Sequence, residues 1–137
     1  MSPAQFETVQ VDWIGEQQFL LKDHAGFPIL MTQPDGVNGA DLLPLSLIGC
    51  AAWDVIAILK KQRQQVRHFL VTADSEREPD PPWRFRRICI HYHITGKEIN
   101  SEWVRRAIDL TETRYCSIYA TLREVVETVS EFDIVEA

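Results

Sequence analysis

Residues 42–59 read LLPLSLIGCAAWDVIAIL, with Asp54 as the one formal charge in the run. A helix so uniformly apolar has to be covered by the rest of its chain, by a second copy, or by lipid. Pro44, Ser46 and Asp54 inside the run, and a mean hydropathy of −0.16 for the whole chain, argue for a buried helix and against a membrane span. The helix is expected over about 41–63, deep in the core or at a dimer interface. Its start has two readings. Asn38 can cap it, with Asp41 three residues on; or Asp41 caps it, which places Pro44 inside the first turn, where proline is tolerated. The cations of KKQRQQ suit its C-terminal dipole.

At 137 residues the chain is long enough for one domain, 1–137, with a small core. The net charge of −6 and a pI near 5.1 exclude the basic stripe that nucleic acid or an anionic membrane would need. The N-terminal segment MSPAQFETVQVDWIG has neither the basic start nor the apolar stretch of a signal peptide. The three cysteines, at 50, 89 and 116, have no short metal-type spacing. An odd, sparse set in a chain without a signal predicts a cytoplasmic protein whose thiols rest reduced.

Alternation in FETVQVDW, residues 6–13, predicts a strand with Val9, Val11 and Trp13 on one face. QQFLL and FPILM flank KDHAG as a hairpin, with Pro28 at a strand start or on an edge strand. After the long helix come strands at about 66–76 and 84–95, joined by a turn that Pro81 and Pro82 stiffen. Ser101 is read as the cap of a second helix, SEWVRRAIDLTETRY; a third helical stretch starts near Cys116, and EFDIVE ends the chain as a short strand. Segregated runs of strands and helices predict an α+β fold.

Cys50 admits two readings from its surroundings alone. Cysteine packs well as a small hydrophobe. To react, a thiol in an apolar helix needs a nearby cation or hydrogen-bond donors to ionise. Cys116 stands where a helix begins, and backbone N–H groups there favour a thiolate.

The ordered set NGADLLPLSLIGCAAWDVIAILKKQRQQV, RFRRICIHYHITG and VRRAIDLTETRYCSIYATL resembles the OsmC/Ohr family, the osmotically induced protein C and organic hydroperoxide resistance proteins. DVIAIL places it nearest the OsmC-like branch, and the resemblance runs from residue 6 to 135. It implies an OsmC-like fold: antiparallel sheets wrapped around two central helices in an intertwined homodimer, with active sites at the subunit interface. It implies thiol-dependent reduction of peroxides, organic hydroperoxides above all, with no cofactor and with an external dithiol as reductant. Carried over by position, Cys50 is the peroxidatic cysteine and Cys116 the resolving one. Ohr-type members activate the thiolate with an N-terminal arginine and a glutamate. Here no arginine precedes Arg63, and Lys22 is the one lysine or arginine in the first 59 residues. Lys22 therefore stands in for the arginine, with the weaker geometry of a point charge. Asp41, nine residues before Cys50, is either the activating carboxylate or a helix cap. Loss of the arginine leaves a rival reading open, a non-catalytic dimer of this fold that binds a small apolar ligand between subunits.

Other groups are read as structural. Cys89, His91 and His93 share one strand face about 6–7 Å apart, a spacing that suits zinc or iron. No carboxylate is arranged with them in sequence, so a polar sheet face opposite Ile88, Ile90, Tyr92 and Ile94 is expected, without metal. Asp54 lies one helical turn beyond Cys50; a carboxylate does not activate a thiol, so it is read as pairing with a cation. Trp53, Trp83 and Phe85 are read as core or interface aromatics, with an apolar substrate pocket as the other possibility.

Overall fold

The computed structural model describes residues 6–137, which divide into two compact units, one ending at Leu43 and the other spanning Pro44–Ala137. The first holds a three-stranded antiparallel sheet of β1 (Gln10–Gly15), β2 (Gln18–Lys22) and β3 (Pro28–Thr32). The hairpin read at KDHAG is present. Asp23 makes the turn, its Oδ1 accepting from the backbone N–H groups of Ala25 and Phe27 at 2.9 and 2.8 Å. Gly26 follows at φ +91°, a conformation that costs glycine little. Pro28 opens an edge strand, where its missing N–H breaks no ladder bond. The first strand begins at Gln10, not at residue 6 as expected, and its apolar side chains Val11 and Trp13 stay 62% and 65% exposed.

The long helix is preceded by a 3₁₀ turn, Gly39–Asp41, and runs as α1 over Leu42–Lys61. Asn38 is the cap, its Oδ1 accepting from the Ala40 N–H at 2.9 Å, while Asp41 closes the turn as an exposed residue. Pro44 then falls in the first turn of α1, where no intrahelical N–H is lost. By length and composition Gly39–Lys61 is apolar enough to cross a membrane. Within the chain α1 buries one stripe only, Leu47, Ala51, Val55 and Leu59, at the i, i+4 spacing of a single face. Of the two expected settings, deep in the core or at a dimer interface, the first is not met within one chain: Leu45 and Trp53 remain 50% and 78% exposed.

The second sheet contains β4 (Gln65–Arg77), β5 (Phe85–Lys97) and β6 (Glu127–Glu136), with β5 in the middle. β4 and β5 are antiparallel, but β5 and β6 run parallel, which corrects the expectation of purely antiparallel sheets. A parallel neighbour needs a crossover, supplied by the helical segment between residues 98 and 126. One face of β5, Ile88, Ile90, Tyr92 and Ile94, is fully buried and joins the α1 stripe and Val104, Ala107 and Ile108 in the core.

In the crossover, α2 covers Ser101–Leu110. Its cap is Asn100 and not Ser101: Asn100 is extended, and its Oδ1 accepts from the N–H groups of Glu102 and Trp103, while Ser101 is already helical. The helix widens into a π turn over Thr111–Tyr115, closed by the Cys116 N–H donating to the Thr111 carbonyl at 2.8 Å. Cys116 is extended and caps the short α3, Ser117–Leu122. The final strand is longer than EFDIVE, because β6 pairs along ten residues of β5.

Candidate functional site

Cys50 sits in the third turn of α1, beside Ala51 and one turn beyond Leu47, at the edge of the buried stripe. That position leaves it half-buried. Cys116 comes to it from the far side of the crossover. The π turn inserts one residue into the helical ladder, and the extended Cys116 that follows turns its thiol inward, 2% exposed. The two thiols are within hydrogen-bonding reach of each other, and neither forms a disulfide. Residues 66 positions apart thus form a dithiol.

The pair is unequal. Burial, and after it the neighbouring Cys50 thiol, push the Cys116 thiol up to about 11; the backbone N–H groups of Tyr119 and Ile118 oppose this. Cys116 Sγ accepts from the Tyr119 N–H at 3.3 Å. The helix-start effect expected from sequence is present, since these backbone N–H groups favour the thiolate, but it does not set the net shift. A six-residue helix contributes a small field, and desolvation outweighs it.

Polar groups gather on the Cys116 side. The carboxylate of Glu112 accepts from the Ser130 hydroxyl and from the Tyr119 hydroxyl. Burial raises the pKa of Glu112 against those two bonds. Tyr92 is pushed up by burial and by the charges of Glu112 and Cys116, and its Oη, like Thr111 Oγ1, is buried without a hydrogen-bond partner. Unsatisfied buried hydroxyls beside a dithiol are places for a water or a polar group of a substrate. Glu112, Tyr119, Ser130 and Phe132 line a cavity of about 300 Å³ on this side. Sequence reading missed this set. Glu112 and Tyr119 lie four residues before and three after Cys116, the helical spacing that would have flagged them; nothing marks Ser130 or Tyr92.

Lys22 ends β2, and Asp41 ends the 3₁₀ turn, both in the first unit, whereas Cys50 and Cys116 belong to the second. Asp54 lines a cavity of about 140 Å³ with Ala57, Ile58, Lys61 and Tyr115, so the turn after Cys50 and the residue before Cys116 share one recess. Trp53 is exposed on α1, Trp83 is exposed in the β4–β5 turn, and the Arg77 guanidinium lies 4.7 Å over the Phe85 ring. Cys89 points to the opposite face of β5 from Ile88 and Ile90, away from the dithiol.

Comparison with known proteins gives concordant results. The family model described as OsmC-like protein matches residues 32–131. Protein YhfA of Escherichia coli K12 is 33% identical over 131 residues, covering 93% of this chain and 98% of that one. A hypothetical protein from Aquifex aeolicus has a crystal structure that superposes with a TM-score of 0.86 at 25% identity, over 98% and 99% of the two chains. An organic hydroperoxide resistance protein OsmC from Legionella pneumophila shares the fold at a TM-score of 0.67 and 13% identity, over 99% and 100%.

Proposed function

Since this chain belongs to the OsmC-like protein family, we propose that it is a thiol-dependent peroxidase that reduces organic hydroperoxides through Cys50 and Cys116. The observation that carries the reading is the meeting of two free thiols of unequal burial. The more exposed Cys50 attacks the terminal peroxide oxygen; the O–O bond breaks, the alcohol leaves, and Cys50 becomes a sulfenic acid. Cys116, already in reach, attacks that sulfur; the S–S bond forms, and the expelled hydroxide takes up the Cys116 proton as water. An external dithiol returns the pair to the reduced state. Lys22 and Asp41 are assigned to activating Cys50 on sequence position alone, with Lys22 in place of the arginine lacking before Arg63.

The working unit in this reading is a cytoplasmic homodimer built from one 1–137 domain per chain. Its support is apolar surface left open on each unit: Val11, Trp13 and Leu30 on the first, Leu45 and Trp53 on the second. Sedimentation at micromolar concentration should give twice the 15.8 kDa chain mass. A folded monomer there would count against it.

The function itself is tested by stoichiometry. Reduced protein mixed with cumene hydroperoxide should lose two titratable thiols for each peroxide consumed. Disulfide formation should accelerate with rising pH, by about tenfold per unit below the Cys116 pKa, because the thiolate is the attacking species. Protein that leaves peroxide untouched, yet holds a small apolar molecule at the dimer interface, would establish the non-catalytic reading instead.

A further inference from the structure

We propose that the outer face of β5 and β6 is a binding site for a first-row divalent cation of the zinc or iron(II) class, ligated by His91, His93 and Asp133. The parallel register brings this about. His93 pairs directly with Asp133 and His91 with Glu131, so two carboxylates from residues about forty positions away join the histidine pair. His91 Nε2 and His93 Nδ1 each lie 2.7 Å from Asp133 Oδ1, and the two rings are stacked at 4.1 Å and 7°. One donor atom from each of the three residues falls within 4.8 Å of the others. A tetrahedral cation with bonds of about 2.0–2.1 Å needs donors roughly 3.3 Å apart, so the two histidine–Asp133 separations open by well under an ångström, and the stacked rings turn out of parallel to aim both nitrogens at the cation.

The remaining contacts favour the same use. His91 turns its other ring nitrogen, Nδ1, toward Glu131 Oε2 at 3.8 Å. That separation is an electrostatic contact longer than a hydrogen bond, and its negative charge favours a cation at the other ring nitrogen. Cys89 Sγ donates to Glu131 Oε1 at 3.2 Å, which occupies the thiol as a donor and leaves the ligand set free of sulfur. Two imidazoles and one carboxylate select borderline first-row cations over magnesium or calcium, which prefer all-oxygen sets. The side chains are 30–45% exposed, so water completes the coordination sphere and the cation has an open path.

Cobalt(II) chloride titrated into the reduced full-length protein provides the test. One equivalent per chain should bind, with visible d–d bands, no thiolate charge-transfer band in the near ultraviolet, displacement by zinc and none by excess magnesium. His91→Ala and His93→Ala should each abolish binding, Glu131→Gln should weaken it by about tenfold, and Cys50→Ser should leave it unchanged. Near-ultraviolet circular dichroism checks that the variants fold; if an alanine variant does not, His91→Gln and His93→Gln take its place. Three results would overturn the proposal: no cobalt binding at tens of micromolar, unchanged affinity in folded His91 and His93 variants, or a thiolate band that disappears with Cys50→Ser. The last would place the cation on the dithiol.

Discussion

Cys50→Ser is expected to consume no organic hydroperoxide even in a single turnover, whereas Cys116→Ser consumes about one equivalent and stops. The difference follows from the order of bond making. Peroxide cleavage needs only the attacking thiolate; disulfide formation needs the sulfenic acid already in place. Cys116→Ser should therefore accumulate a Cys50 sulfenic acid that dimedone traps and mass spectrometry detects as a single adduct. Burial reinforces the assignment, because Cys116 at 2% exposure and with a pKa near 11 is a poor first nucleophile. Reversed phenotypes, with Cys116→Ser inert and Cys50→Ser trapped, would exchange the two roles. A Cys50→Ser protein as fast as wild type would end the peroxidase reading.

Leu47→Ala is expected to lower stability by about 2–5 kcal/mol, the range for a buried leucine whose cavity closes only in part. Leu47 is fully buried, one turn before Ala51 on the stripe that seats α1. For a domain of this size the melting temperature should fall on the order of 10 °C. Cys50 rides on the same helix, three residues on, so a loosened helix also misplaces its thiol relative to Cys116. Disulfide formation after peroxide addition should slow even where the variant is fully folded. Lys60→Ala, at an exposed polar position on the same helix, serves as the comparison for thermal melts. Equal melting temperatures for wild type and Leu47→Ala would show that α1 is not held by this stripe.

What could be read in advance was local. The hairpin at Asp23–Phe27 was legible because an aspartate and a glycine make that turn with their own atoms. The long helix was legible because it is uninterrupted over twenty residues. Caps were harder. Asn100 and Ser101 are both good caps, and only the backbone angle decides which residue is first in the helix. The π turn at Thr111–Tyr115 has no local signature, yet it sets the direction of the Cys116 thiol.

The sequence by itself determined the α+β class, the order of elements and the OsmC-like resemblance that singled out Cys50 and Cys116. Those depend on periodicity, turn chemistry and motif order, which are properties of short segments. Tertiary structure alone decided what lies next to what. It put the two thiols in contact, set Glu112 against Ser130 and Tyr119, and raised the Cys116 pKa against the helix-end effect. It also made β6 parallel to β5, so that Asp133 meets His91 and His93 on a face where sequence had shown no carboxylate. Desolvation and strand register are both set by residues distant in the chain, and a segment read alone contains neither.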